Sequence, residues 1–214
     1  MNDLNQSEQF LAGEGDRWFE RNAASLSLSR GIQLIEPYCK QQGDLLEIGC
    51  SDGRNIAYLA GRCGGRATGI DPSLAAVDSG RSKYPEVDLR VGTSDSLPFE
   101  DDSFDLIVFG FCLYLVDRKL LLRTVAEGDR VLRNGGFLVV TDFCSRNRGK
   151  RAYAHKKGVF SYRADYPAMW RSFHYALVAH FPFSHSAEGF HLADEERIGH
   201  TVLYKDLEGS YPLI

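Results

Sequence analysis

The sequence of 214 residues contains no long apolar run. Its longest apolar stretches, such as 106–109 and 137–140, are far shorter than the roughly 20 residues that a membrane-spanning helix needs. The first nine residues are polar and acidic and lack the apolar core of a secretory signal, so we expect no export. Both absences favour a cytoplasmic protein without a membrane partner.

Cysteine is sparse and scattered. The five cysteines form no CxxC pair and no Cys/His cluster, which disfavours a disulfide framework or a zinc site. The six histidines lie between residues 155 and 200 at spacings that match no metal signature. The formal net charge of -4 gives no reason to expect nucleic acid as a partner. We therefore expect no metal and no nucleic acid.

Short apolar segments alternate with helical ones from residue 44 onward. The predicted strands are 45–48, 67–70, 87–91, 104–109 and 136–141, and the predicted helices between them are 54–61, 74–80 and 118–132. This alternation predicts an α/β fold with a doubly wound, mostly parallel, seven-stranded Rossmann-like sheet. The last two strands, 174–181 and 199–204, are predicted to form an antiparallel pair at the sheet edge.

Residues that suit a ligand follow the first two strands. Gly49 and Gly53 permit a tight turn after the first strand, and the following helix offers unpaired N–H groups. Asp71 ends the second strand and can accept both hydroxyls of a ribose. This combination predicts an adenosine-containing ligand, either a dinucleotide or S-adenosylmethionine.

Two features of the turn favour S-adenosylmethionine. In a GxGxxG pattern counted from Gly49, the second and third glycines would fall on Ser51 and Arg54, so the pattern is absent. Glu47 also places negative charge beside the ligand, which is unfavourable near a pyrophosphate but suits an ammonium or sulfonium group.

At this point the sequence resembles the class I S-adenosylmethionine-dependent methyltransferases. The segments that match, in order, are Leu46-Glu47-Ile48-Gly49-Cys50-Ser51-Asp52-Gly53, Gly69-Ile70-Asp71-Pro72-Ser73, Leu97-Pro98-Phe99 with Asp102-Ser103-Phe104-Asp105, and Leu132-Arg133-Asn134-Gly135-Gly136. The resemblance covers roughly residues 42–142. It implies S-adenosyl-L-methionine as cofactor, a pocket shaped by Glu47, Gly49 and Gly53, a ribose held by Asp71, and an adenine bordered by 93–95.

The full set of expected cofactor-binding residues is Trp18, Arg21, Glu47, Gly49, Cys50, Ser51, Gly53, Asp71, Pro72, Thr93, Ser94, Asp95, Phe109 and Phe111. Several have a structural alternative. Trp18 can be a core residue, Cys50 can be a small turn residue, and Arg21 can pair with the cofactor carboxylate or with a surface acid. Phe109, Phe111 and Tyr114 can each be core residues, but their position at the ligand end of the sheet favours a contact with the cofactor, because aromatic faces attract a sulfonium cation.

The sequence departs from the family at two places. Many relatives have an acidic residue where this chain has Thr93, so either Asp95 takes its place or the contact to the adenine amino group is weaker. Many carry histidine after the fourth strand, where this chain reads Leu113-Tyr114-Leu115, so a histidine base is missing there. The expected catalytic residues are Tyr114, His155 and His174, with the two histidines flanking the pocket.

Residues 143–164 contain no Asp or Glu. They carry Arg146, Arg148, Lys150, Arg151, Lys156, Lys157 and Arg163. Such a run is usually a solvated loop, but its place after the fifth strand puts it over the acceptor site. We expect an irregular, mobile segment that attracts a small anionic acceptor.

The weaker similarity of 13–22 and 192–205 to small bacterial methylases of surface-sugar biosynthesis ranks a nucleotide-linked or surface sugar first as acceptor. The alternatives are methylation of a neutral natural product, a catalytically silent module that binds S-adenosylmethionine or S-adenosylhomocysteine, and, disfavoured by the turn, a nicotinamide dehydrogenase. The chain is expected to be one methyltransferase domain over 1–214. Its parts are an N-terminal helical lid (1–40), a cofactor-binding core (42–142), a basic acceptor-side insertion (143–173) and a strand pair (174–214).

Overall fold

The computed structural model describes residues 4–184, 190–211 and 213 of the chain. Its strands are β1 (Asp44–Ile48), β2 (Arg66–Asp71), β3 (Asp88–Val91), β4 (Phe104–Gly110), β5 (Leu132–Ala152), β6 (Phe160–Asp165), β7 (Tyr175–Ser184) and β8 (Arg197–Lys205). They lie in the order β3-β2-β1-β4-β5-β8-β7, and β6 pairs with the far part of β5. Neighbours from β3 to β5 are parallel, whereas β5-β8-β7 is antiparallel. The predicted fold class is confirmed, with one strand more than the seven expected.

Helices cover the sheet. They are α1 (Gln6–Gln9), α2 (Gly15–Asn22), α3 (Arg54–Cys63), α4 (Leu74–Lys83), α5 (Leu121–Val131) and α6 (Pro167–Arg171). Ser73 caps α4, as its position predicts, because its hydroxyl accepts from the Ala76 N–H at 3.0 Å. In the part of the chain that the structure describes, no helix combines the length and apolarity needed to span a membrane.

The sequence predicts an N-terminal amphipathic helix over about 7–28 that is interrupted near Gly13 and Gly15. The interruption is present: a π-helical stretch, Phe10–Glu14, joins α1 to α2, and Gly13 within it has φ of +119°, a conformation that glycine adopts without strain. The end of the helix differs, because regular helix stops at Asn22 and a short 3₁₀ turn, Ala23–Ser25, follows. The glycines indicate where this helix kinks, whereas hydrophobic spacing does not reveal where it stops.

The apolar strand segments bury both faces of the sheet. Leu46 and Ile48 of β1 pack into one core, and Leu45 packs into the other. Phe109 of β4 lies in the first core against Trp170, with ring centroids 5.2 Å apart, and both side chains are fully buried. The expected cofactor contact of Phe109 is therefore wrong, because this ring fills the core between the sheet and α6.

The basic insertion is a β-hairpin rather than the irregular loop expected. β5 continues past the sheet and pairs antiparallel with β6, so that Lys150 faces Tyr162 and Ala152 faces Phe160. The Lys150 ammonium lies 3.7 Å from the centroid of the Phe160 ring, a favourable cation–π distance. Aromatic residues of high strand propensity in β6 thus give the basic residues of β5 a partner.

Candidate active site

A cavity lies where β1, β2, β3 and β4 end, under the N-terminal helices. Its lining comes from the N-terminal segment (Ser7, Phe10, Gly15, Trp18), from the strand ends (Ile48, Gly49, Ser51, Ile70, Asp71, Pro72, Gly92, Thr93, Ser94) and from the loop after β4 (Gly110, Phe111, Cys112, Tyr114, Leu115, Val116). The carboxyl ends of parallel strands are where open α/β sheets bind ligands. Most of the predicted cofactor residues are brought together here.

The turn after β1 depends on two glycines. Gly49 has φ of +77°, and a Cβ there would lie 2.6 Å from the Cβ of Cys112. Gly53 has φ of +74° and begins α3, where a Cβ would meet Leu89 at 2.7 Å. Gly49 lines the cavity, whereas Gly53 acts through the shape of the turn. Only glycine allows this close approach of backbone to neighbouring side chains.

Cys50 does not contribute its side chain to the cavity, in contrast to the expected cofactor contact. It is buried in the core on one face of the sheet, and its Sγ lies where a Cβ on Gly69 would be 2.7 Å away. Burial raises the pKa of its thiol well above the usual range, so the thiolate that a nucleophile requires is disfavoured.

Asp71 is held by backbone N–H groups from two neighbouring loops. Its Oδ2 accepts from the Ser51 N–H at 2.8 Å and its Oδ1 from the Ser73 N–H at 2.9 Å. Burial raises the pKa of Asp71 to about 6, although both hydrogen bonds oppose this shift. Each carboxylate oxygen keeps acceptor capacity, so the group can receive the two hydroxyls of a ribose.

Glu47 is not among the residues that line the cavity; it is a buried carboxyl directly behind Gly110, where a Cβ would lie 2.7 Å from the Glu47 Oε1. Its Oε1 accepts from the Asn55 amide at 3.1 Å, while its Oε2 has no hydrogen-bond partner among the residues described. Burial raises the pKa of Glu47 to about 8, and the negative charges of Asp71 and Asp52 add to the shift. A cationic ligand beside Glu47 would relieve this cost, which fits the charged groups of S-adenosylmethionine and disfavours a pyrophosphate.

The expected adenine end is only partly assembled. Thr93 and Ser94 line the cavity, and the Ser94 hydroxyl shares a hydrogen bond with that of Thr124 at 3.1 Å. Asp95 is not among the lining residues, and its buried Oδ1 has no partner within the described chain. The structure therefore does not support Asp95 as the replacement for the acidic residue that many relatives carry at the position of Thr93.

Aromatic rings close the other end of the cavity. Phe111, Tyr114 and Phe143 form a cluster with ring centroids 4.9 to 5.4 Å apart. Asp142 anchors the cluster from below: its carboxylate accepts from the backbone N–H of Tyr114 at 3.2 Å and of Phe143 at 2.8 Å. Burial raises the pKa of Asp142 to about 7. Asp142 follows the parallel part of β5 just as Asp71 ends β2. This shared position at a strand end is the sequence feature that could have identified Asp142 as a site residue.

The N-terminal segment forms the roof and is fastened by residues that the sequence reasoning missed. Asp16 accepts from the Ser73 hydroxyl at 2.8 Å and from the Ala75 N–H at 2.9 Å, which ties α2 to the start of α4. The buried Gln6 side chain donates to the carbonyls of Leu115 and Phe160 and accepts from the Phe160 N–H. No local pattern marks either residue, because their partners lie 57 to 154 positions away.

Arg21 lies outside the cavity lining, so the structure does not bring it to the expected cofactor carboxylate. Its guanidinium donates to Glu14 at 2.7 Å and to the Tyr153 hydroxyl at 3.1 Å. Of the two alternatives, pairing with an acid is what the structure has, although Glu14 is buried and not a surface residue. Trp18, in contrast, lines the cavity from the same helix.

The two histidines expected to flank the pocket do not. His155 is exposed in the turn between β5 and β6, with its ring centroid 5.3 Å from that of Tyr153. His174 lies beside the amino ends of the parallel strands, at the far side of the sheet from the cavity, where its Nε2 is 2.9 Å from Asp129 of α5. The reason is topological: β7 begins beside the end of β8, which is antiparallel to β5, and so begins where the parallel strands begin.

Comparison with known proteins gives a consistent result. Residues 46–140 match the protein family described as "Methyltransferase domain". A ubiquinone/menaquinone biosynthesis C-methyltransferase of Campylobacter jejuni is 28% identical over 130 residues, which cover 58% of this chain and 50% of the relative. A protein of Mycolicibacterium smegmatis named a probable S-adenosylmethionine-dependent methyltransferase is 38% identical over 129 residues, covering 60% of this chain and 46% of the relative. The chain thus spans about half the length of these curated relatives.

The fold is shared with solved structures. The crystal structure of a Burkholderia thailandensis 1,6-didemethyltoxoflavin-N1-methyltransferase, with its substrate and S-adenosylhomocysteine bound, superposes with a TM-score of 0.68. The alignment covers 94% of this chain and 87% of that one at 16% sequence identity. At this identity the likeness establishes the architecture.

Proposed function

We propose that residues 46–140, which match the family described as "Methyltransferase domain", bind S-adenosylmethionine, and that the protein methylates a small anionic acceptor. The observation that carries the proposal is the pair of buried carboxyls at the strand ends: Asp71 lines the cavity together with Gly49, and Glu47 lies directly behind the lining residue Gly110. Buried carboxyls at these two places suit the cationic and ribose parts of one ligand.

S-adenosylmethionine supplies a methyl group on a sulfonium, a leaving group that needs no further activation. The protein's task is to bind and align the reactants, and alignment can account for about 7–11 kcal/mol of a barrier. In this proposal Asp71 and Ser51 hold the ribose, and Glu47 compensates the cofactor's positive charge. Trp18 and Phe10 cover the site and exclude water.

The basic hairpin supports an anionic acceptor. Within the described residues, none of its seven cations forms an ion pair with an acid. The guanidinium of Arg163 lies over the Phe143 ring, 4.9 Å from its centroid, so one of the cations is packed on the aromatic cluster. Asp194 accepts from the Ser145 hydroxyl and the Arg146 N–H at the start of the run, but its ion pair is with Arg197. A surface with an excess of positive charge raises the local concentration of an anion.

The aromatic cluster narrows the choice among anionic acceptors. Relatives in the comparison are named for quinone biosynthesis and for a flat heterocycle, and the rings of Phe111, Tyr114 and Phe143 suit such planar molecules. The nucleotide-linked or surface sugar expected from the sequence has no counterpart in these names. It stays in the test panel as the competing acceptor.

Calorimetry with S-adenosylmethionine, S-adenosylhomocysteine and NAD tests the cofactor, and transfer of labelled methyl groups to a panel of acceptors tests the activity. The panel pairs hydroxyquinones and hydroxylated heterocycles with nucleotide-linked sugars and with uncharged natural products. We expect binding of the two adenosyl ligands and turnover of anionic planar compounds. Binding of NAD alone would refute the proposal, and adenosyl binding without turnover on the panel would favour a silent binding module.

A further inference from the structure

A polar cluster from two distant parts of the chain lies over the aromatic end of the cavity. Glu14 in the roof holds the Arg21 guanidinium at 2.7 Å, and Arg21 donates to the hydroxyl of Tyr153 on the hairpin at 3.1 Å. The ring of Tyr153 lies 6.2 Å from that of Phe10, which lines the cavity together with Tyr114. Glu14, Arg21 and Tyr153 are not among the residues that line the cavity, and Tyr153 adjoins it through Phe10.

The two tyrosine hydroxyls of this region are hydrogen-bond donors. The Tyr153 oxygen accepts from Arg21, so its own hydrogen is available to another oxygen. The Tyr114 hydroxyl makes no hydrogen bond within the described residues and lies in the cavity wall. Burial raises the pKa of both phenols; the charge of Asp142 and then that of Tyr153 raise the pKa of Tyr114 further, whereas Arg21 opposes the rise at Tyr153. Both hydroxyls are therefore assigned as hydrogen-bond donors.

Resting on the proposed function, we propose that Tyr114 and Tyr153 bind the oxygen of a planar phenolic or enolic acceptor that enters the site already ionised, with Arg21 as the residue that positions Tyr153. The charged or titratable groups that surround the two tyrosines are Glu14 and Arg21 of the roof, His155 of the hairpin turn with its ring 5.3 Å from that of Tyr153, Cys112 of the loop after β4, and Asp142 of β5. Of these, only Cys112 lines the cavity, and burial raises the pKa of its thiol well above the usual range.

The chemistry balances without a protein base. The acceptor loses its proton to water before it binds, because its own hydroxyl is acidic. Its electron pair then forms a bond to the methyl carbon while the carbon–sulfur bond breaks, and that bond's electrons stay on sulfur as a neutral thioether. Attack by oxygen gives an ether directly, and attack by the adjacent ring carbon is followed by loss of the ring proton to water. The two phenolic donors stabilise the oxyanion until it reacts.

The walls fit this acceptor class. Phe10 and Phe111 line the cavity, where Phe10 packs against Tyr153 and Phe111 against Tyr114, and Phe143 packs behind Phe111. A flat aromatic molecule packs against such rings at offset or tilted angles. A sugar would offer these walls less flat surface and has hydroxyls too weakly acidic to ionise in water near neutral pH. The missing histidine after β4 is then consistent with an acceptor that needs no base.

The first experiment measures kcat/KM against pH for a series of hydroxyquinones and nitrophenols whose hydroxyl pKa values differ. We expect the midpoint of each profile to follow the pKa of the acceptor. A midpoint common to all acceptors would reveal an enzyme base and overturn the inference. Y114F and Y153F are expected to lower kcat/KM about 10- to 100-fold, the range for loss of one hydrogen bond to a charged group.

Controls separate this role from others. Y162F removes a hydroxyl from the Arg118-facing side of the hairpin and should leave kcat/KM within about twofold. R21K should retain more activity than R21Q, since a cation still reaches Tyr153. The dissociation constant of S-adenosylhomocysteine should be unchanged in Y114F and Y153F. If that constant rises while acceptor kinetics are unaffected, the cluster binds the cofactor carboxylate and the inference is wrong.

A binding experiment keeps the inference testable if turnover fails. The protein saturated with S-adenosylhomocysteine is titrated with 4-nitrophenolate, whose absorbance reports its ionisation, and with neutral 4-nitroanisole for comparison. We expect binding of the phenolate, preference over the anisole, and loss of that preference in Y114F and Y153F. If these hold while no acceptor is methylated, the proposed function fails and the acceptor site stands. Equal or absent binding of both compounds refutes the site.

Discussion

Three carboxyl groups at the strand ends, Glu47, Asp71 and Asp142, are buried, and burial raises the pKa of each. They differ in their partners. Asp71 and Asp142 each accept two backbone N–H groups and so hold loops together, whereas Glu47 keeps one oxygen without a partner in the described chain. At the scale of single residues, the site is therefore built from acids whose ionisation is costly until a ligand or a loop compensates it.

Replacing Asp71 by alanine is expected to raise the dissociation constant of S-adenosylhomocysteine about 10- to 150-fold, which corresponds to about 1.5–3 kcal/mol for hydrogen bonds to a charged group. Calorimetry on the folded fraction measures it, with D88N on the exposed end of β3 as control. If Asp71 serves only the turn and the start of α4, unfolding free energy will fall and affinity will not change.

Replacing Glu47 by glutamine is expected to change the pH dependence of stability. The pKa of about 8 in the folded protein exceeds the ordinary value of 4.5, so the folded state keeps a proton that the unfolded chain releases between these values. The free energy of unfolding therefore falls as pH rises through that window, and E47Q should make the fall less steep. Urea unfolding at pH 5 and pH 8 checks this.

The exposed Glu20 provides the matched control, since E20Q removes one charge from the outer side of α2. A steeper fall in E47Q, or the same slope as in E20Q, would contradict the prediction. E47Q should also weaken binding of S-adenosylmethionine, because the compensating negative charge is gone.

At the scale of elements, the roof and the hairpin support each other. The Gln6 side chain makes three hydrogen bonds, one to the carbonyl of Leu115 in the loop after β4 and two to the backbone of Phe160 in β6. Arg21 joins α2 to Tyr153 near the turn of the hairpin. Two elements that are individually short thus form one cover over the cavity, and each needs the other for its stability.

Gln6→Ala should open this cover. Three hydrogen bonds are lost and the Phe160 N–H is left without its partner. The free energy that holds the N-terminal segment against the hairpin should therefore fall by on the order of 1–3 kcal/mol. We expect faster amide hydrogen exchange over residues 6–22 and weaker S-adenosylhomocysteine binding. Q9A is the control, because the Gln9 amide donates to the Leu4 carbonyl in its own segment, at 3.0 Å, and has no other side-chain hydrogen bond among the described residues. Equal exchange in both variants would show that Gln6 does not hold the roof.

Removal of the hairpin's charge should affect the acceptor and not the cofactor. The variant replaces Arg148, Arg151, Lys156 and Lys157 by glutamine and spares Lys150, which packs over Phe160. The KM of an anionic acceptor should rise roughly 3- to 10-fold at low salt, and its salt dependence should shrink. Steady-state kinetics at two ionic strengths measure both, with cofactor affinity as the internal control. If neither the KM of the acceptor nor its salt dependence changes, the charges are only solvated surface charges.

At the scale of the whole molecule, the two ends of the parallel strands have different roles. The carboxyl ends of the strands carry the cavity, the buried acids and the cover. At the amino ends, Asp129 contacts His174, Tyr175 and Lys205, and the Lys205 ammonium donates to the carbonyls of Asp129 and Leu132. This network joins α5 to β7 and β8.

His174→Gln should therefore leave kcat and KM unchanged and lower the free energy of unfolding by about 0.5–1.5 kcal/mol, the usual loss for one hydrogen bond. Urea unfolding and steady-state kinetics on the same preparation check both parts. A fall in kcat at unchanged stability would return His174 to the catalytic residues that the sequence predicted.

Local sequence patterns determined the α/β order, the antiparallel strand pair, the Gly49 turn and the position of Asp71. These features depend on apolar runs, glycines and strand ends, which act over a few residues. The sequence did not predict the hairpin, because its pairing depends on the aromatic residues of β6. These residues lie within the basic run, which was interpreted as a loop. The site beyond the strand ends was decided by tertiary structure: Gln6 at Phe160, Arg21 at Tyr153, Asp142 under Tyr114, and His174 at the far side of the sheet. Each of these contacts joins residues 28 to 154 positions apart, so its partner is set by how the sheet and roof pack.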